Sequence, residues 1–94
     1  MVRLDCSRVR FGSQLDEKHL FVWALEIPGV SSWDQDTLLV KRRAISEASL
    51  RDLLALFYRY NIPMEQLQIF LSVKNESWFS DPIMYWHKKV FPKK

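Results

Sequence analysis

The chain is short of the residues that most often carry chemistry. It has one cysteine, Cys6, which excludes an internal disulfide and a thiolate zinc cage. Its two histidines, His19 and His87, lie 68 positions apart and do not supply the three protein ligands that a catalytic zinc site usually draws on. We therefore expect no metal and no cofactor. Only two glycines are present, Gly12 and Gly29, so no glycine-rich loop can cradle a phosphate. No apolar run approaches the roughly 18–20 residues of a membrane helix. The longest, Leu20 to Leu25, stops at Glu26. Met1-Val2-Arg3-Leu4-Asp5 lacks the apolar stretch of a secretory leader, so a cytoplasmic protein with no membrane partner is expected. Under that expectation the glycosylation sequon Asn75-Glu76-Ser77 is a chance match.

What the chain has in excess is aromatic residues. Four tryptophans, six phenylalanines and three tyrosines make up 14% of 94 residues. A chain of this length forms one domain and buries roughly 60–65% of its unfolded surface, and large rings are the most economical way to build a core of that size. The net charge of +3 is uneven. Residues 1–36 carry four basic and six acidic side chains, and residues 37–94 carry ten and five. That asymmetry favours an anionic partner for the second half, although it falls short of the dense basic stripes of most nucleic-acid binders.

Residues 2–11 read as a strand by alternation: Val2, Leu4 and Cys6, then Val9 and Phe11 after a phase slip near Ser7-Arg8 that allows a bulge. Residues 13–27 read as a helix. Ser13 is placed to cap it, Asp16 and Glu17 suit its first turn, and Pro28-Gly29 ends it. The composition of Leu20-Phe21-Val22-Trp23 keeps a strand as the alternative. As a helix its second half is apolar nearly all round, which predicts deep burial. A hairpin follows, Val30–Trp33 and Thr37–Lys41 about Asp34-Gln35-Asp36, with Leu38 and Val40 facing the core.

The clearest element is a helix over 47–60. Ser46 caps it, and Leu50, Leu53, Leu54, Leu56, Phe57 and Tyr60 make one apolar arc. Beyond Asn61-Ile62-Pro63 two readings compete. A helix would put Met64, Leu67, Phe70 and Leu71 on one face, whereas a strand would alternate Leu67, Ile69, Leu71 and Val73. Asp81-Pro82 opens a last helix, 81–89, docked on the domain by Trp78, Phe79, Tyr85, Trp86 and Phe91, with 90–94 as a tail. The fold class is α+β: about three antiparallel strands in β-α-β-β-α order, packed by helices. It becomes ferredoxin-like if 67–73 forms a fourth strand.

No catalytic constellation is found. Cys6 reads as a buried structural thiol, because position 12, where a phosphatase-type loop needs arginine, is glycine. The pairs Asp16-Glu17 and Asp34/Asp36 suit a helix start and a turn. Two candidate sites remain. One is the C-terminal surface of Tyr85, Trp86, His87 and Lys88, since aromatic residues and arginine dominate interface hot spots. The other is a basic patch of Lys41, Arg42, Arg43 and Lys89, joined by Lys88, Lys93 and Lys94. Each also has a structural reading, as a docked helix and as a solvated surface.

The string Asn75, Trp78-Phe79, Pro82, Tyr85-Trp86 and Lys89-Val90-Phe91, with Ile45-Ser46 to Tyr60 and Pro63-Met64, resembles small uncharacterised bacterial proteins of the plasmid and mobile gene cassette type. The resemblance spans about half the chain and implies a bacterial, cytoplasmic accessory protein. It implies no activity, cofactor or site residue. The leading expectation is a non-enzymatic protein–protein interaction module, with a homodimer among the pairings it allows. One alternative is weak, salt-sensitive nucleic-acid binding, because the basic residues form no aromatic-interleaved stripe along the sequence. Another is a small-ligand pocket lined by Trp23, Trp33 or Trp86.

Overall fold

A computed structural model describes residues 1–92. The order is β1 (Val2–Asp5), α1 (Gln14–Glu26), β2 (Val30–Asp34), β3 (Thr37–Val40), a 3₁₀ turn (Arg42–Ala44), α2 (Glu47–Arg59), a 3₁₀ helix (Glu65–Phe70), α3 (Glu76–Phe79) and α4 (His87–Val90). The strands form one antiparallel sheet in the order β1-β3-β2. The fold is α+β, with Leu4 opposite Leu38 and Val2 opposite Val40 in the β1–β3 register.

β1 ends well before residue 11. The Asp5 carboxylate accepts the Ser7 N–H at 2.9 Å and turns the chain where the alternation slips. The Gln66 amide then occupies the open edge of β1: its Oε1 accepts the Asp5 N–H at 2.7 Å and its Nε2 donates to the Asp5 carbonyl at 2.8 Å. A side chain thus satisfies two edge groups as a neighbouring strand would.

α1 has the predicted ends, with Ser13 accepting the Asp16 N–H. Deep burial of its second half is not found. Leu20 and Ala24 are buried, but Val22 and Leu25 stay 45% and 51% exposed, as does Leu15 of the first turn at 65%. A helix lying on one edge of a three-stranded sheet is covered on one side only, whatever its sequence offers on the other. Gly29 links α1 to β2 with φ +99°, and a Cβ there would lie 2.7 Å from Ile45 Cδ1 and 2.8 Å from the Ala44 carbonyl oxygen. Conformation and space both demand glycine.

α2 buries its whole predicted arc. Ser46 accepts the Ser49 N–H, and the buried Ser49 hydroxyl donates to the Pro28 carbonyl at 2.7 Å, tying α2 to the end of α1. The helix stops at Asn61, φ 55°, with Ile62 N–H bonded to Phe57 and Asn61 N–H to Tyr58, a left-handed termination of the Schellman type.

Residues 67–73 are not a strand, so the ferredoxin-like alternative is excluded. Met64, Leu67 and Phe70 are buried at intervals of three, the repeat that a 3₁₀ helix aligns on one face. Ile69, Leu71 and Val73 remain exposed, so strand-like alternation buries nothing there.

The continuous helix expected over 81–89 is also absent. The Asp81 carboxylate accepts the Ile83 N–H at 3.0 Å and forms a local turn with Pro82. Only His87–Val90 is helical. Val90 is fully buried and Gln68 Nε2 donates to its carbonyl at 2.6 Å, so the expected tail does not begin at residue 90. Lys93 and Lys94 lie outside the described residues.

Candidate functional site

The C-terminal block meets α2 along a row of rings. Of the adjacent pair Tyr85 and Trp86, the turning backbone sends Trp86 inward, where it is 3% exposed and its indole N–H donates to the Phe79 carbonyl at 2.8 Å. Tyr85 lies at the rim, 53% exposed. It stands edge-on to Trp86 and to Tyr58 of α2, each with 4.9 Å between ring centroids. Trp78 packs perpendicular to Trp86 at 6.1 Å. The guanidinium of Arg51 sits 4.2 Å from the Trp78 ring centroid, and Lys89 Nζ sits 4.8 Å from that of Tyr58. Burial pushes the Tyr85 phenol above its usual pKa, Tyr58 adds to the effect, and Arg51 opposes it.

Two clefts flank the row. The larger, about 690 Å³, is lined by Arg42 and Arg43 from the 3₁₀ turn, Lys74 from the loop before α3, and Trp78. Its one lining carboxylate, Glu47, is bonded to Arg51 at 3.3 Å. Asn75 shapes the loop: its Oδ1 accepts the Ser72 N–H at 2.8 Å and its Nδ2 donates to the Phe70 carbonyl at 2.7 Å. The second cleft, about 450 Å³, gathers Arg8, Lys88 and Lys89 with the single acid Glu65. Among the described residues, Arg8, Arg42, Arg43, Lys74, Lys88 and Lys89 make no salt bridge.

The structure divides both residue sets singled out in the sequence. Arg42 and Arg43 line the first cleft, Lys41 is exposed outside its lining, and Lys89 lines the second cleft with Lys88. In the other set, Tyr85 and Lys88 are exposed, while Trp86 is structural. His87 is half-buried 5.6 Å from the Phe91 ring, and its buried Nδ1 has no hydrogen-bond partner among the described residues. Sequence reasoning missed Arg51, Tyr58 and Lys74. Tyr58 falls just outside the apolar arc of α2, a position at which the helical period alone could have marked an exposed ring.

A separate surface lies on α1. Leu15, Val22 and Leu25 share its outer side, flanked by Lys18 and Glu26. Beside it Trp23 and Tyr60 border a shallow cleft of about 300 Å³. Of the tryptophans expected to line an aromatic pocket, Trp23 alone borders one of these three clefts. Trp33 instead packs on Phe21 at 4.5 Å and donates to its carbonyl.

Cys6 lies in the core, where burial first, then Asp5 and Asp36, push its thiol up to about 12. It stays a thiol at neutral pH and is a poor nucleophile there. Among the described residues no group of three or more His, Cys, Asp or Glu is placed to hold a metal, and no helix is long and apolar enough to cross a membrane. Comparison with protein-family models, with curated proteins and with solved structures finds no match to this chain.

Proposed function

We propose that the protein is a non-enzymatic interaction module that pairs with a second copy of itself through the outer face of α1. The observation that carries this reading is a helix with two apolar sides and one covered. Leu15, Val22 and Leu25 lie two turns and then one turn apart along the outer side, so they share one face, with Lys18 between the first two.

The choice of a second copy rests on charge. Lys18 and Glu26 stand four residues on either side of Val22. No residue three or four positions from either within α1 bears an opposite charge, so neither has an ion-pair partner along its own helix. If two α1 helices cross antiparallel at Val22, Lys18 of each meets Glu26 of the other at the same level. A two-fold interface has this self-complementary form. A single helix pair buries less than a standard interface, so the dimer is weak and depends on concentration.

Sedimentation equilibrium from micromolar to millimolar protein tests the reading. The expected result is a monomer–dimer equilibrium that Val22→Glu abolishes. Lys18→Glu and Glu26→Lys each weaken it, and the double exchange restores it. A monomer throughout the range, or a double exchange no better than either single one, overturns the proposal.

A further inference from the structure

We propose that the face formed by α2 and the C-terminal block binds single-stranded nucleic acid, with phosphates in the two cationic clefts and bases against the ring row between them. This face shares none of the residues of the α1 stripe, and the inference does not depend on the dimer.

Three observations carry it. First, each cleft presents three cations against one carboxylate, and in the larger cleft that carboxylate is already held by Arg51. The six cations come from four separate stretches of sequence, and folding gathers them without giving any a salt-bridge partner among the described residues. Second, the clefts are joined by rings. Trp78 belongs to the larger cleft and packs on Trp86, Trp86 touches Tyr85, Tyr85 touches Tyr58, and Lys89 of the smaller cleft lies over Tyr58. Third, the row is anchored in the core and still presents two rings to solvent. Trp86 is pinned beneath the surface by its bond to Phe79, whereas Tyr85 and Tyr58 remain 53% and 44% exposed.

Cations at both ends of a ring row that exposes Tyr85 and Tyr58 and half-exposes Trp78 match a ligand that alternates anionic and flat aromatic groups. A single strand has that form: the backbone follows positive charge and the bases stack on side-chain rings. A small phosphate compound would fill one cleft and leave the row unused. A duplex hides its base faces, so it would engage the cations alone.

The test is fluorescence anisotropy with a labelled oligothymidylate of about 12 nucleotides, within the range that small single-strand binders cover, and with a duplex of equal length. The single strand is expected to bind more tightly than the duplex. Its affinity should fall with salt, with a logarithmic slope of about −2 to −4, the range for three to six phosphate contacts on a single strand. Arg42→Glu with Arg43→Glu should weaken binding and make that slope shallower by about 1.4. Tyr85→Ala should weaken single-strand binding about tenfold, the loss of one stacked base, and leave duplex binding unchanged. Because the chain has four tryptophans, the Trp78 end is read from quenching of tryptophan fluorescence during titration that is present in the unaltered protein and reduced in Trp78→Phe. Absence of binding at low salt overturns the proposal. So does duplex binding as tight as single-strand binding together with indifference to Tyr85→Ala, which would leave only a diffuse polyanion surface.

Discussion

α1 and α2 invite comparison because they begin alike and end up differently. Each has 13 residues, and each is capped by a serine that accepts the N–H three positions on. In α2 the leucines and Phe57 occupy one arc, and the fold buries that arc entirely. In α1 the apolar residues occupy two sides, and the fold buries one. A one-sided pattern tells a helix which way to face. A two-sided pattern does not, and what covers the second side depends on how many layers the rest of the chain can supply. Here a three-stranded sheet and α2 cover Leu20 and Ala24, while Leu15, Val22 and Leu25 remain outside.

Substitutions can sharpen or break this contrast. The largest effect is expected in the middle of α2. Phe57→Ala removes a fully buried ring and should destabilise the fold by about 3–5 kcal/mol, measured by urea denaturation. A loss below about 1 kcal/mol would mean that α2 is not the centre of the core. Next comes the inner side of α1. Leu20→Ala should cost about 2–4 kcal/mol, close to the loss for a core leucine of α2, because burial rather than helix identity sets it.

The caps should separate the helices more gently. Ser46→Ala should cost about 1–2 kcal/mol, since Ser46 also bonds the buried Ser49 that ties α2 to Pro28, whereas Ser13→Ala should cost only about 0.5–1 kcal/mol. Equal losses in thermal melts would show that the link through Ser49 adds nothing. The smallest effect is expected on the outer side of α1. Leu25→Ala should change the stability of dilute protein by no more than about 0.5 kcal/mol, while weakening self-association in sedimentation. A large loss of monomer stability would place Leu25 inside the core and remove the contrast between the helices.

Several elements were legible because their signals are local. Ser46 with the arc from Leu50 to Tyr60 reads as α2 without knowledge of any neighbour. Ser13, Asp16 and Gly29 bracket α1, and Leu38 with Val40 gives the inward face of β3. The stretch 64–73 was ambiguous because helical spacing and alternation were both present. The buried set Met64, Leu67 and Phe70 resolves it only once the core they fill is known. Asp81-Pro82 carried a helix-start signal that the carboxylate spends instead on a turn to Ile83. Of the candidate surface, Arg42, Arg43, Tyr85, Lys88 and Lys89 were marked in advance. Arg51, Tyr58 and Lys74 were not, since each is unremarkable among its sequence neighbours and gains a setting only across α2 and the C-terminal block.

By itself, then, the sequence determined the fold class, the hairpin, α2 with its cap, and the need to bury the C-terminal aromatics, while over α1 its capping signals favoured a helix and left a strand open. These follow from periodicity, capping chemistry and the hydrophobic effect, all of which act over a few residues. Tertiary structure alone decided which side of α1 is covered, that Leu67 to Val73 is not a strand, and that Trp86 goes in while Tyr85 stays out. It also decided that cations from four stretches of sequence flank one row of rings. Those outcomes depend on which distant surfaces compete for the same space, and no local pattern of residues encodes that competition.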